Sequence, residues 1–431
     1  MNAALASRVM AVTIPDATQQ IDYGDLYARW ERGNWSATEI DFTQDRHDWV
    51  HAFTPEQRRG ALWLYSLFFH GEDAVADNLS PYIDAAPMEE QKYFLATQQV
   101  DEARHAVFFH RFMHEVVGVG DGSLAGAMHA TRQHLNWGHR TLFARLDAMA
   151  DELRRDHSPR KLAAAVTLYH VVVEGTLAQP GQHLIESSLE ALDLMPGFRE
   201  GIRHVALDEQ RHIAFGVRLL ADLYAADPRG TQEAIVDIIR EVTQYTLSVP
   251  IPPGWDSSYT ECFGFSLEDL YEEGARSNEA RLRAVGLPLD EIAHFPFPMS
   301  IPPRERGVWA LTLLRAGLLG QRNGPIGRDA RTLRILFDLL ARNARGEEVP
   351  RGTTIQWEFR DMEPWHLLLD GVVKTAVQGR VAKPTVRLRM RFDDFADVVA
   401  RRADPALLVA RGRMRPWGDP RVLLKLQRLF A

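Results

Sequence analysis

Two short stretches of this 431-residue chain repeat one pattern: Asp101-Glu102-Ala103-Arg104-His105 and Asp208-Glu209-Gln210-Arg211-His212. Each supplies a Glu-x-x-His pair, and residues three apart share one face of a helix. A carboxylate and an imidazole presented this way can grip one metal ion from one helix. Each pair is preceded, at a similar distance, by a carboxylate in an apolar setting. Glu72 follows Leu67-Phe68-Phe69, and Glu174 follows Val171-Val172-Val173. An ionised carboxylate among such neighbours is costly unless it is paired or bound to metal. One Glu from each of two helices, with a Glu-x-x-His from each of two more, is the ligand set of a dinuclear site inside a helix bundle.

Charge supports the same reading. Four carboxylates bring about −4 and two divalent ions about +4, with the imidazoles neutral. Glu72, Glu102 and His105 are expected to hold one ion, and Glu174, Glu209 and His212 the other. Carboxylate and imidazole donors suit iron and manganese. Asp101 and Asp208 lie four residues before the histidines. They are placed to accept from the imidazoles, in their own helix or across the bundle, and so to set the ring tautomer. His70, His110, His114 and His170 lie near the motif helices, but none completes a second ligand set.

The elements that must position these groups are helices. From about 54 to 282, apolar residues recur at three- and four-residue spacing and β-branched alternation is scarce. Ser80-Pro81 and Ala86-Pro87 break the first long helix from the next, and Gly118 to Gly122 ends the second. Ser158 before Pro159 reads as an N-cap with proline in the first turn, and Asp227-Pro228 to Gly230 divides two later helices. Pro180-Gly181 falls inside a helix and should kink or interrupt it. Beyond about 285 the texture changes. Prolines cluster at Pro288, Pro296, Pro298, Pro302 and Pro303, helices are expected over 305–319 and 328–343, and 353–359 and 385–392 alternate like half-buried strands. A further strand is expected at 365–370, and helices at 393–402 and 420–430. The expected fold is therefore multidomain: an all-α bundle over 1–295, a linker with a helix over 296–327, and a smaller α+β domain over 328–431.

Composition bounds the function classes. Hydrophobic residues at 45% and charged residues at 25% describe an ordinary globular chain, not a disordered one. Lys plus Arg number 50 against 58 Asp plus Glu, and a formal charge of −8 argues against a generally basic nucleic-acid-binding surface. The single cysteine, Cys262, excludes an internal disulfide framework, a cysteine-rich zinc site and an iron–sulfur cluster held by this chain alone. It fits a reducing compartment. No uninterrupted apolar run reaches the ~18 residues of a membrane span, and residues 1–15 lack the apolar core of a secretory signal. A cytoplasmic chain with no membrane span is expected.

With the six ligands in place, the sequence resembles the small subunit of ribonucleotide reductase. It resembles more closely the ligand-binding oxidases of the ferritin-like superfamily that share that subunit's fold. The likeness covers about 20–285, including Asp45-Arg46, Trp49 and Gly71-Glu72-Asp73-Ala74-Val75. It implies oxygen activation at a Mn/Fe pair, manganese in the first site and iron in the second, or at two Fe ions. It also implies a fatty-acid-like ligand beside the metals, an electron donor of unknown identity and a homodimer. The oxidases carry a valine–tyrosine ether cross-link; by position these residues are Val75 and Tyr169. The reductase alternative fits less well. The position of the radical tyrosine, four residues after the first histidine ligand, holds Phe109, and the last tyrosine is Tyr271. A non-catalytic metal- or lipid-binding protein is a third reading.

Residues 328–431 resemble a sterol carrier protein type two domain. The features are the aromatic strand 353–359, the Asp370-Gly371 turn, Asp393-Asp394-Phe395, Gly412-Arg413-Met414 with Gly418-Asp419, and the terminal helix 422–430. That likeness implies a lipid-carrying α+β fold with an apolar tunnel, able to present a substrate to the bundle or receive one from it.

Overall fold

The protein is described by a computed structural model, which covers residues 22–292, 294–371 and 373–430. The expectation for residues 1–15 lies outside these. The chain divides into two units, 1–289 and 290–431.

The first unit is helical. Its long helices start where the local chemistry provides for the unpaired N–H groups of a helix terminus. Thr54 and Gln57 cap each other reciprocally at the head of Pro55–Asn78, with Pro55 in the first turn. Ser158 accepts from Lys161 N–H ahead of Pro159, and Asp227 accepts from Gly230 N–H ahead of Pro228. Gly118, at φ 74°, closes the helical run of Glu89–Phe112 and Met113–Val117 in the left-handed region that glycine enters freely. The short helix Ser80–Ala85 fills the break between the first two long helices.

Four helical segments carry the candidate ligands: Pro55–Asn78, Glu89–Phe112, the run from Pro159 to Leu192, and Pro196–Ala226. The third differs from expectation. No break occurs at Pro180-Gly181. Instead the winding widens to a π-helix over Thr167–Ala178, and Pro180 sits in the first turn of the α-helix Gln179–Leu192. Among the described residues this run alone is long and apolar enough to cross a membrane, and 72% of its most apolar window is buried inside the unit.

The second unit is α+β, with a five-stranded sheet in the order β3-β2-β1-β4-β5. The strands are β1 (Thr353–Phe359), β2 (Trp365–Asp370), β3 (Val373–Gln378), β4 (Val386–Met390) and β5 (Arg415–Gly418). β1 and β4 run parallel, and the other neighbours are antiparallel. Ile355, Trp357, Leu367, Leu369, Leu388 and Met390 are buried on one face, against the helix Ala330–Asn343 among others. The helix Pro303–Arg315, in the stretch read as a linker, adds Leu313 to this core. β3 and β5 were not expected. Val373 and Val377 of β3 face outward, so its hydrophobic pattern runs opposite to its burial. β5 is a four-residue edge strand containing Pro416 and Gly418. The expected terminal helix is two short ones, Pro420–Leu423 and Leu426–Leu429.

Phe337 is the keystone of the second core. It is fully buried and lies parallel to Trp365 at 4.3 Å and to Phe395 at 5.4 Å between ring centroids. Phe337→Ala should therefore lower the stability of this unit by about 3–5 kcal/mol, read as a shift in the denaturant midpoint of its unfolding transition.

Candidate metal centre

All six expected ligands are buried and converge. One group brings together Glu72, Glu102, His105 and Glu209, and a second Glu102, Glu174 and His212, each with potential ligand atoms within 4.8 Å of one another. The His105 Nδ1 atom faces Glu72 at 3.2 Å, Glu102 at 3.5 Å and Glu209 at 3.8 Å. The His212 Nδ1 atom faces Glu102 at 3.2 Å, Glu174 at 3.6 Å and Glu209 at 3.8 Å. Glu102 and Glu209 thus each turn one oxygen to each imidazole, while Glu72 and Glu174 each reach one.

The opposite ring nitrogens are held across the bundle. His105 Nε2 lies 3.1 Å from Asp208, and His212 Nε2 lies 3.1 Å from Asp101. An Nε2–H donated to each aspartate leaves Nδ1 with its lone pair toward the carboxylates, the tautomer a metal ligand needs. Arg104 contacts Asp101 at 3.1 Å and Asp208 at 3.7 Å, and Arg211 contacts Asp101 at 3.3 Å and also Asp208. The indole N–H groups of Trp30 and Trp35 donate to Asp101 and Asp208 at 2.9 and 2.8 Å. Two aspartates are therefore matched by two guanidiniums, and this outer layer is electrically closed.

The inner layer is not closed. Among the described residues no Lys or Arg pairs with Glu72, Glu102, Glu174 or Glu209; their only potential cations are the two imidazoles. Glu102 Oε2, Glu174 Oε2, Glu209 Oε2 and His212 Nδ1 are buried without a hydrogen-bond partner. Buried lone pairs of this kind are costly unless something satisfies them. A pair of divalent ions would do so, and the donor set fits iron or manganese.

The titration behaviour follows from the same arrangement. Burial pushes the Glu72 carboxyl up to about 8, with His105 pulling the other way. Burial, reinforced by Glu209, holds Glu174 well above the usual range, and burial with Glu102 raises Glu209. Burial also opposes the charge on Glu102, but His212 and His105 outweigh it and keep this carboxyl low. The imidazoles are raised despite burial, His105 chiefly by Glu72 and Asp208, His212 chiefly by Glu102 and Asp101.

Tyr169 is fully buried and its hydroxyl donates to Glu102 Oε1 at 2.9 Å. Burial, with Glu102 next, holds the phenol well above its ordinary pKa, so the proton stays on oxygen. Val75 is buried one turn beyond Glu72 on the same helix. Phe109 is fully buried and stacks on Phe68 with centroids 6.0 Å apart.

His170 is outside both ligand groups but adjoins them. Burial lowers its pKa to about 3, so the ring is neutral. Its Nε2 lies 3.1 Å from the Gln98 carbonyl oxygen, and the Gln98 amide donates to Glu174 at 2.8 Å. His70 instead contacts Thr131, His110 stacks on Phe69, and His114 is exposed.

The π-helix has its own support. Gln179 N–H bonds to Glu174 O, a five-residue step. The next such step would join Gly175 O to residue 180, a proline without an N–H. Ser277 supplies the missing donor to Gly175 O. Asn278 donates to Thr176 Oγ1 at 3.0 Å, and Arg281 donates to Gln179. Three side chains of the helix Leu267–Val285 thus hold the segment just past Glu174, Ser277 at the segment's backbone and Asn278 and Arg281 at its side chains. A Cβ at Gly175 would meet Arg281 Cδ at 2.8 Å, so glycine is what lets the two helices approach.

Sequence reasoning missed Trp30, Trp35, Gln98 and Ser277, and gave no role to Arg104 and Arg211. Only the arginines carried a signal, since both copies of the five-residue pattern place Arg three residues after Asp.

Comparison with known proteins agrees with this geometry. Residues 18–248 match the family "Ribonucleotide reductase, small chain", and residues 342–431 match the SCP-2 sterol transfer family. Among solved structures, an R2-like ligand-binding oxidase from Sulfolobus acidocaldarius is similar at 27% identity. The match covers 62% of this chain and 93% of that one, with a TM-score of 0.52. A variant R2-like ligand-binding oxidase with an anaerobically reconstituted Mn/Fe cofactor is similar at 26% identity, over 62% and 94% of the two chains, with a TM-score of 0.53.

Two outcomes follow from the site. Ions must displace the protons held by the raised carboxylates and imidazoles, so Mn(II) or Fe(II) affinity should rise with pH. The expected slope is up to about tenfold per pH unit for each proton displaced. Anaerobic titrations between about pH 6 and 8 check this, and a flat profile contradicts it. Ser277→Ala leaves the Gly175 carbonyl without its donor and should cost about 1–3 kcal/mol of bundle stability in denaturant unfolding.

Proposed function

The chain belongs to the ribonucleotide reductase small-chain family, and on that premise we propose that it is an oxidase using dioxygen at a dinuclear Mn/Fe or Fe/Fe site. The ligands are Glu72, Glu102, His105, Glu174, Glu209 and His212. One observation carries the reading: four buried carboxylates, without a Lys or Arg partner among the described residues, face two imidazoles whose far nitrogens are fixed by Asp101 and Asp208. That arrangement needs about four positive charges and offers ligands for two ions.

When bound, the metal pair supplies the electrons and open coordination positions that dioxygen reduction requires. The protein's side chains do the rest. Glu72, Glu102 and His105 would hold one ion and Glu174, Glu209 and His212 the other, with Glu102 within reach of both groups. The aspartates keep each ring in the tautomer that presents Nδ1, and the arginines pair with the aspartates. Phe68, Phe108, Phe109 and Phe198 form a buried aromatic cluster around the helix turn after His105, which keeps water from that side. Tyr169 donates to Glu102 Oε1 and so orients that carboxylate.

A finer reading concerns Tyr169 and Val75. We assign them an ether bond from the tyrosine oxygen to a valine carbon. Its formation removes one hydrogen from each residue, and the two electrons and two protons released reduce one dioxygen to hydrogen peroxide. The reductase alternative lacks support at Phe109, where no phenol is present. Solved neighbours that are ligand-binding oxidases with Mn/Fe also favour oxidase chemistry. The substrate class is a long-chain, fatty-acid-like molecule. The SCP-2 match at residues 342–431 supports it, since a tethered carrier raises the local concentration of an apolar substrate.

The deciding experiment loads the full chain anaerobically with Mn(II) and Fe(II) and then admits air. The expected outcome is one pair of ions per chain, oxygen uptake, and a peptide joining Val75 to Tyr169 that has lost two hydrogens. Glu102→Ala should abolish both pairing of the ions and oxygen uptake, and Tyr169→Phe should remove only the joined peptide. Many ions per chain would make it a storage protein, and metal-loaded protein inert to oxygen would end the oxidase reading.

A further inference from the structure

The far edge of the second unit's sheet is charged out of keeping with the chain. Residues 401–428 hold eight Lys and Arg against two Asp, in a protein of net charge −8, and of these Arg402 and Arg413 pair with Asp397 and Asp394. Register concentrates part of this charge on one surface. In β4, Val386, Leu388 and Met390 point into the core, so Arg387 and Arg389 point away from it. Arg389 lies directly opposite Arg415 of β5, and Arg387 opposite Trp417. Like charges facing each other across a strand pair destabilise a sheet. Arg387 is compensated by Glu358 at 3.2 Å, whereas neither Arg389 nor Arg415 has an acidic partner among the described residues. This face has a place for anions that the unit itself does not provide.

Apolar side chains are exposed in β5 and in the segments that flank it in sequence. Trp417 is 67% exposed, with the Arg387 guanidinium 5.8 Å from its ring centre. Leu407, in the helix just before β5, is 52% exposed, and Leu424, just after the helix that follows it, is 85% exposed. Arg411 and Arg421, also exposed, flank β5 without an acidic partner among the described residues.

From this combination we propose that the β5 edge docks the chain onto an anionic lipid bilayer. Phosphate headgroups answer the arginines, Trp417 takes the interfacial position that indoles favour, and the leucines enter the acyl boundary. A nucleic acid would neutralise the arginines but leave Leu407 and Leu424 in water. A protein adding a strand is disfavoured, because β5 is only four residues long and carries Pro416. The inference extends the lipid-carrier reading of residues 342–431 by assigning where lipid would be exchanged. It does not depend on the metal centre.

The test is co-sedimentation of the full chain with vesicles of phosphatidylcholine alone or with about a third phosphatidylglycerol, at about 0.1 and 0.5 M salt. Binding is expected on the anionic vesicles only, and is expected to be lost at high salt. Arg389→Ser with Arg415→Ser should weaken it by roughly fivefold per charge removed, while Arg389→Lys with Arg415→Lys should retain it. Trp417→Ala should weaken it at the lower salt concentration, where binding is expected. Thermal melts check that these exposed substitutions leave the fold intact. Failure to bind, equal binding to neutral vesicles, or a double serine variant that is folded and binds undiminished would overturn the proposal. So would tighter binding to a DNA duplex than to the anionic vesicles. Co-sedimentation reads docking and not lipid transfer, so a negative result would leave the carrier reading standing.

Discussion

Four carboxylates held out of water, with no Lys or Arg partner among the described residues, are the constraint around which the first unit is built. Left bare, Glu72, Glu102, Glu174 and Glu209 repel one another in a medium that screens poorly. Part of the repulsion is relieved by protons on the raised carboxylates and on the imidazoles. Divalent ions relieve it more fully. The bundle therefore stores a demand for positive charge that surrounding hydrophobic packing must hold in place. The outer ring of Asp101, Asp208, Arg104 and Arg211 is balanced within itself, so that demand stays localised on the inner four.

Position depends on elements outside the four ligand-bearing helices. Trp30 and Trp35 come from the segment around the first short helix and fasten the two aspartates. The helix Leu267–Val285 contributes no candidate ligand, yet its Ser277, Asn278 and Arg281 secure the wide winding that carries Glu174. A π-helix is uncommon because its hydrogen-bond geometry is poor, and it is found often at functional sites. Here Pro180 removes one more backbone donor, and a side chain from another helix replaces it.

Much of the site was legible in the sequence because its chemistry repeats within single helical turns. Glu-x-x-His is a one-turn pattern, and Glu72 and Glu174 stood out as charges in apolar runs. The crossing of each aspartate to the other helix's histidine was not legible, since it depends on how two distant segments meet. Trp30 and Trp35 lie in a stretch without useful periodicity. The wide turn escaped because apolar spacing over 159–192 barely distinguishes 3.6 residues per turn from a slightly larger number. In the second unit, β1 and β2 were read at their observed bounds because Ile355, Trp357, Leu367 and Leu369 alternate cleanly toward the core. β3 escaped because its valines face outward, and β5 because four residues with a proline and a glycine carry almost no strand signal.

The diagonal pairing of Asp101 with His212 and of Asp208 with His105 has an evolutionary corollary. Each copy of the five-residue pattern steers the imidazole of its twin and not its own. A change of aspartate in one copy is felt at the opposite ion, so neither half can drift alone. The two copies are bound to be inherited as a matched set.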